Sequence, residues 1–364
     1  MIYNLLKRIL ILNALLLGSL ITLAQDPDFH IYLCFGQSNM QGNSAPEAQD
    51  KTGVNARFQV MGAVNCNSGG KSYTLGKWQT ANAPIVRCDA GLGPTDYFGR
   101  AMVAALPSNI KIGVVAVAVA GADIALFDKA NYATYVQTAP TYMKNIINQY
   151  GGNPYGRLVE VAKLAQKDGV IKGILFHQGE TNSGQNTWPA KVKAVYNNLI
   201  KDLNLDPSKT PFLAGELVTS AFGGLCAGHN SVIATLPSVI PNSYVISAAG
   251  LACESDKLHF TNASQRLFGP RYAQKMLQLV TITGVENEND LQTSASAFPN
   301  PFSSELNVSV KGDFQYELMT TDGNILTKGI AEGSISIAQE TPKGLYLLKI
   351  TQNGNSKVMK VVKE

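Results

Sequence analysis

The chain is poor in the residues that bind metals. Of its 364 residues only five are cysteine and four are histidine. The cysteines, Cys34, Cys66, Cys88, Cys226 and Cys253, include no CxxC pair, and no Cys/His spacing reads as a zinc site. Neither a metal nor a cofactor is expected. An excess of one charge sign is also lacking. The formal net charge is +4, and without Lys7 and Arg8, which lie in a removable-looking leader free of acids, it is +2. So small a balance argues against nucleic acid or an anionic membrane and favours a neutral partner. Tryptophan is nearly absent. Trp78 and Trp188 are as well suited to a core as to an exposed sugar platform, which disfavours a purely glycan-binding surface protein. Beyond the amino terminus no apolar run is long enough to cross a bilayer. Ile112–Ala120 is strand-length and belongs inside a sheet.

What is present begins with an export signal. Lys7-Arg8 supply a positive region, Ile9 to Leu23 an apolar stretch, and Thr22-Leu23-Ala24 a small-residue cleavage site, so residues 1–24 are expected to be removed and the mature chain to carry no transmembrane segment. Export permits disulfides. Cys34 falls in a strand and is expected as a buried free thiol. Cys66 with Cys88 is the simplest local pairing and Cys226 with Cys253 the other, among three possible connectivities.

From residue 25 to 283 strand-like and helix-like segments alternate, as in a doubly wound α/β fold. Strands are expected at His30–Phe35, Lys111–Val119, Gly173–His177, Phe212–Leu217 and Tyr244–Ser247. Helices are expected at Asp96–Leu106, Thr141–Tyr150, Tyr155–Asp168, Trp188–Leu203, Asn230–Ile240 and Asn262–Leu279. The last of these has an apolar face of Ala263, Leu267, Tyr272, Met276 and Leu279. Asn43 to Pro94 is a long Gly/Asn/Pro-rich loop suited to forming a wall of a site. Residues 284–297 are acidic, then small, and read as a linker. Residues 298–364 turn to short strands with Asp322-Gly323 and Asn353-Gly354 turns, and predict a small β-sandwich.

Candidate chemistry starts at Ser38. It follows an apolar strand through Phe35-Gly36-Gln37, at the carboxyl end of a core strand, where open α/β sheets bind ligands. A serine nucleophile needs a base and oxyanion donors. His259, three residues after Asp256, is the best placed histidine, because an Asp at that spacing can reach Nδ1. His177-Gln178-Gly179-Glu180 ends the central strand. Gln178 offers an amide N–H, and Glu180 a carboxylate that can orient His259 in place of Asp256, act alongside it, or bind a substrate hydroxyl. Val119-Ala120-Gly121 ends another strand, and Gly121 can present its backbone N–H.

Taken together, Gly36-Gln37-Ser38-Asn39-Met40-Gln41-Gly42, Thr95-Asp96-Tyr97-Phe98-Gly99-Arg100, Val119-Ala120-Gly121, His177-Gln178-Gly179-Glu180-Thr181-Asn182 and Asp256-Lys257-Leu258-His259-Phe260 resemble the SGNH (GDSL-like) hydrolases. The nearest likeness is to carbohydrate esterase family 6 and the sialate O-acetylesterase-like domain. The resemblance runs from about Asp28 to Leu279. It implies a flavodoxin-like three-layer α/β/α fold and deacetylation of xylan or a related plant polysaccharide, with sialate or feruloyl esters as alternatives. It further implies Ser38 as nucleophile, His259 as base, Asp256 or Glu180 as the orienting carboxylate, and an oxyanion hole of Ser38 N–H, Gly121 N–H and Gln178. Gln37, Asn39 and His177, beside these positions, are expected to contact substrate. Gln178 departs from the superfamily's asparagine. The tail resembles the sorting domain of type IX secretion cargo through Phe298-Pro299-Asn300-Pro301-Phe302, Asp322-Gly323, Lys343 to Ile350 and Lys357 to Lys363. That likeness implies the type IX machinery as a partner and a secreted or cell-surface destination.

Overall fold

The computed structural model describes residues 25–280, 295–320, 323–338, 340–352 and 355–364. The expected leader, most of the expected linker, and Asp322 and Asn353-Gly354 of the expected turns lie outside the described residues.

The apolar run Ile31-Tyr32-Leu33-Cys34-Phe35 is buried throughout because its strand, β1 (Asp26–Gly36), lies in the interior of a seven-stranded sheet. Its fellows are β2 (Phe58–Met61), β5 (Trp78–Thr80), β6 (Lys111–Ala118), β7 (Gly169–His177), β8 (Phe212–Gly215) and β9 (Ser243–Ile246), in the order β5-β2-β6-β1-β7-β8-β9. Every pairing is parallel except the edge strand β5 against β2. Asn43 to Pro94, expected as one long loop, thus contributes two strands of this sheet, β2 and β5, and a separate ribbon of β3 (Cys66–Ser68) and β4 (Lys71–Tyr73).

Alternation along β1 sorts its side chains between two cores. Ile31, Leu33 and Phe35 face a core completed by Met143 and Ile147 of α3 (Thr141–Gln149), Leu158 and Ala162 of α4 (Pro154–Ala165), and Val192 and Leu199 of α5 (Trp188–Asp202). Tyr32 and Cys34 face the other, built with Phe98 and Met102 of α2 (Pro94–Ala105) and Phe268, Tyr272 and Met276 of α6 (Asn262–Leu279). The sheet is thus sandwiched between helices. Burial pushes the Cys34 thiol up to about 12, which leaves it inert. Trp188 is wholly buried against Phe176, so it forms no sugar platform.

Several expectations need correction. Tyr272 and Met276 of the expected α6 face are buried, but Ala263 and Leu267 are exposed, Leu267 by 57 %, and Phe268 and Gly269 take the inward positions of that end. The cause is its crossing with α2, where a Cβ on Gly269 would collide with Pro94 O and Phe98 N. The expected helix Asn230–Ile240 is two short turns, Asn230–Ile233 and Leu236–Val239, the second with Pro237 in its first turn, where a proline cannot continue a helix from before it. Cys66 and Cys88 are bonded, but Cys226 and Cys253 are free thiols. Each thiol instead donates to a loop carbonyl, Cys226 to Glu180 O and Cys253 to Phe222 O. The tail is one antiparallel sheet rather than two sheets of a sandwich. Its strands are β10 (Ser296–Phe298), β11 (Leu306–Thr320), β12 (Ile325–Ile337), β13 (Gly344–Gln352) and β14 (Asn355–Lys363). Leu306–Val310 and Gln315–Met319, expected as separate short strands, merge into β11, where an irregularity in the pairing at Ser309/Asp313 absorbs Gly312 and keeps Val308, Val310, Phe314 and Leu318 on one buried face.

Candidate active site

The strand order around β1 places the site. Both neighbours of β1, β6 and β7, come later in the chain, so the order reverses there and a crevice opens at the strands' carboxyl ends. Gly36 pairs with Ala118 on one side and His177 on the other. Its φ is +153°, and any side chain there would collide with His177 O. Glycine therefore lets the chain turn tightly into α1 (Ser38–Gln41), and Gln37 N–H donates to His177 O at 2.9 Å. Ser38 is the first residue of this turn, and no backbone or side-chain acceptor takes its N–H among the described residues.

The turn meets a loop more than two hundred residues later. Ser38 Oγ lies 2.9 Å from His259 Nε2, and His259 Nδ1 lies 2.6 Å from Asp256 Oδ2. An ionised carboxylate only accepts, so Nδ1 carries the ring proton and Nε2 is left to accept from the serine hydroxyl. Asp256 Oδ1 accepts from Leu258 N and His259 N at 2.9 and 3.0 Å. Burial alone would raise the Asp256 carboxyl, but these N–H groups and the imidazole hold it below the usual range. Lys257 takes φ +61° so that the loop can close on itself, and Glu254 N–H donates to His259 O at 2.7 Å.

Asn39 fixes the meeting. Its Nδ2 donates to Leu258 O at 2.9 Å and its Oδ1 accepts from Phe260 N at 3.0 Å, one bond on each side of His259. The same Nδ2 donates to Glu180 Oε1 at 2.7 Å. The residue after the serine thus grips the backbone that carries the histidine, and Glu180 aims the gripping amide. Asn39 is buried within this tie rather than turned to substrate, and the Glu180 carboxylate bonds Asn39 rather than His259.

Two further placements differ from expectation. Gln178 is buried behind the crevice with its amide committed: the two N–H bonds of Nε2 are shared among Asn182 Oδ1 at 2.6 Å, Gln37 Oε1 at 3.1 Å and Ala122 O at 3.2 Å, while Oε1 accepts from Trp188 Nε1 at 2.6 Å. Its oxygen and nitrogen are fully used in holding the strand ends together, which leaves nothing to offer an oxyanion. His177 is fully buried between Phe260 and Phe268, with Nε2 3.0 Å from Glu216 O and Nδ1 3.8 Å from Glu180 Oε1, and makes no wall of the crevice.

Gly121 does reach the crevice. It takes φ +74°, and no acceptor takes its N–H among the described residues. The turn is pinned from both sides. Ala120 N–H donates to Gln41 Oε1 at 3.0 Å, and Thr181 Oγ1 donates to Gly121 O at 3.0 Å. Gln41 and Thr181 were inside recognised blocks but carried no assignment, because side-chain direction is invisible in the letters alone. A cleft of about 530 Å³ results, lined by residues that include Gln37, Ser38, Gly121, Tyr142, Glu180, Leu225 and His259. Thr95–Arg100 opens α2 away from it, where Asp96 pairs with Arg100. Among the described residues no cluster of His, Cys, Asp and Glu could hold a metal ion, and no helix is long and apolar enough to cross a membrane.

A carbohydrate esterase family described as sialic acid-specific acetylesterase matches residues 28–278. A secretion-system C-terminal sorting domain matches residues 296–364, which marks the chain for type IX export, into the medium or onto the cell surface. A probable carbohydrate esterase of Arabidopsis thaliana is 26 % identical over 267 residues, spanning 69 % of this chain and 91 % of that protein. The X-ray structure of that Arabidopsis protein superposes with a TM-score of 0.54 at 22 % identity, over 70 % of this chain and all of the other. The crystal structure of NanS gives 0.51 at 15 % identity, over 70 % and 98 %. At these identities the two structures speak to the fold alone.

Proposed function

The chain belongs to the carbohydrate esterase family of sialic acid-specific acetylesterases, and from that premise we propose an exported serine esterase of SGNH type that removes O-acetyl groups from xylan or a related plant polysaccharide. Ser38 Oγ attacks the acetyl carbonyl and His259 Nε2 takes its proton. Asp256 holds the imidazole in the productive tautomer and stabilises the imidazolium. The anionic tetrahedral intermediate is held by the free N–H groups of Ser38 and Gly121. His259 then returns the proton to the sugar alkoxide, the acetyl group remains on Ser38, and a water activated by the same imidazole releases acetate. Water is the one co-reactant these steps consume, and its proton passes through His259 back to Ser38.

The observation that carries this reading is the imidazole of His259 spanning Ser38 Oγ at 2.9 Å and Asp256 Oδ2 at 2.6 Å. The family description favours a second reading, removal of acetyl groups from sialic acid. Acetate release by wild type and Ser38→Ala tests the mechanism on either substrate. A loss of about three orders of magnitude or more in kcat is expected. Ser38→Ala within about tenfold of wild type would remove Ser38 as nucleophile.

A further inference from the structure

Three large apolar side chains are strongly exposed among the described residues of 25–280: Tyr142, Leu225 and Leu267, at 55, 70 and 57 %. Two of the three, Tyr142 and Leu225, stand on the wall of the Ser38 cleft. Each is tied to an element of the site. Tyr142 lies in the first turn of α3, and its hydroxyl occupies the space over Gly121 where a Cβ would be. Leu225 N–H donates to Lys257 O at 3.1 Å, on the loop that carries His259. The cleft wall includes the Glu180 carboxylate, whose Oε2 is buried without a partner, and the His259 imidazole, but neither lysine nor arginine. Lys257 lies nearby but runs along Gly223, outside the lining residues.

We propose that Tyr142 and Leu225 form an apolar platform at the mouth of the cleft that grips the C–H face of an uncharged acetylated sugar ring. Exposed aromatic and aliphatic side chains gathered at a cleft mark a contact surface rather than scattered apolar residues. An aromatic ring with a polar tip suits a pyranose, which has an apolar face and a hydroxylated rim. A sugar carboxylate would enter a cleft whose wall has no lysine or arginine to pair with it and already carries the Glu180 carboxylate, an arrangement that disfavours a second negative charge. The platform therefore selects neutral glycans over carboxylated ones such as sialic acid. It rests on the reading of Ser38 as an esterase nucleophile.

The test compares acetate release from acetylated xylo-oligosaccharide, from ethyl acetate (which has no ring), and from 9-O-acetyl sialic acid and its methyl ester. In Tyr142→Ala and in Leu225→Ser, the ratio of kcat/KM for the oligosaccharide to that for ethyl acetate is expected to fall about tenfold, through KM, whereas Tyr142→Phe keeps the ring and most of the ratio. Wild type is expected to favour the sialate methyl ester over the free acid. An unchanged ratio in both truncations, or a loss in Tyr142→Phe equal to that in Tyr142→Ala, overturns the platform. So does any wild-type preference for the free acid, and its loss in Lys257→Ala would name the cation responsible. A wild type inert toward ethyl acetate and every sugar ester would refute the esterase reading itself, a result distinct from any of these.

Discussion

Replacing Asn39 by alanine should uncouple the serine from the histidine without touching either. Asn39 is 1 % exposed and makes three side-chain bonds: to Glu180 Oε1, to Leu258 O and from Phe260 N. A bond to an ionised group contributes about 1.5–3 kcal/mol and each neutral one about 0.5–1.5 kcal/mol, so the loss is about 2.5–6 kcal/mol before any water enters the space. Denaturant unfolding reads that term. The kinetic term is separate, because Leu258 and Phe260 bracket His259. Freeing both lets Nε2 drift from its position 2.9 Å from Ser38 Oγ, and a misplacement near 1 Å costs about a hundredfold. Measured far below the unfolding midpoint, where the chain is folded, Asn39→Ala should lose about 10- to 100-fold in kcat on 4-nitrophenyl acetate, with KM little changed. A variant that unfolds earlier but turns over at the wild-type rate would show that Asn39 supports the fold and not the geometry of the site.

Asp256→Asn should cost about three to four orders of magnitude in kcat, because the amide no longer enforces the Nδ1–H tautomer, whereas Glu180→Gln keeps an acceptor for Asn39 and should cost far less; the reverse ranking would make Glu180 the orienting carboxylate. The Cys66–Cys88 bridge spans 22 positions in sequence, and its removal in the double serine variant should cost about 3 kcal/mol, read as a lowered Tm. Burial pushes the Asp96 carboxyl up to about 6 against the pull of Arg100, and its Oδ2 has no partner. The folded chain thus holds this proton more tightly than the unfolded chain, so the contribution is full below about pH 4 and is lost as pH rises through about 6. The stability of wild type relative to Asp96→Asn, from urea unfolding, should accordingly decline between about pH 4 and 7 by roughly 2–3 kcal/mol, and a flat difference would contradict the buried, protonatable state.

Much of the central sheet was legible because a strand buried on both faces writes itself as an uninterrupted apolar run, as in Ile31 to Phe35 and Ile112 to Val119. Ser38 and the Asp256–His259 spacing were legible for a related reason, since strand ends and a three-residue Asp-to-His step restrict where a side chain can reach. Side-chain direction was not. Gln178 has the chemistry of an oxyanion donor, yet its amide is spent on Gln37, Ala122, Asn182 and Trp188 behind the cleft. Asn39 has the chemistry of a substrate ligand, yet it faces the His259 loop. Helical periodicity suggested Leu267 for the core of α6, but Gly269 at the crossing with α2 decides the rotation. The tail's strand segments were legible and its layering was not, because one long irregular strand and two short ones carry the same alternation of residues. Likewise, no spacing rule reports that Cys226 and Cys253 face different carbonyls.

The most direct measurement is mass spectrometry of the purified protein after treatment with an organophosphate or a sulfonyl fluoride. A serine hydroxyl made nucleophilic by His259 should yield a single covalent adduct on the peptide containing Ser38, at the rate at which esterase activity disappears, and Ser38→Ala should remain unlabelled. A modified hydroxyl elsewhere in the chain, or full activity in protein labelled at Ser38, would contradict the account.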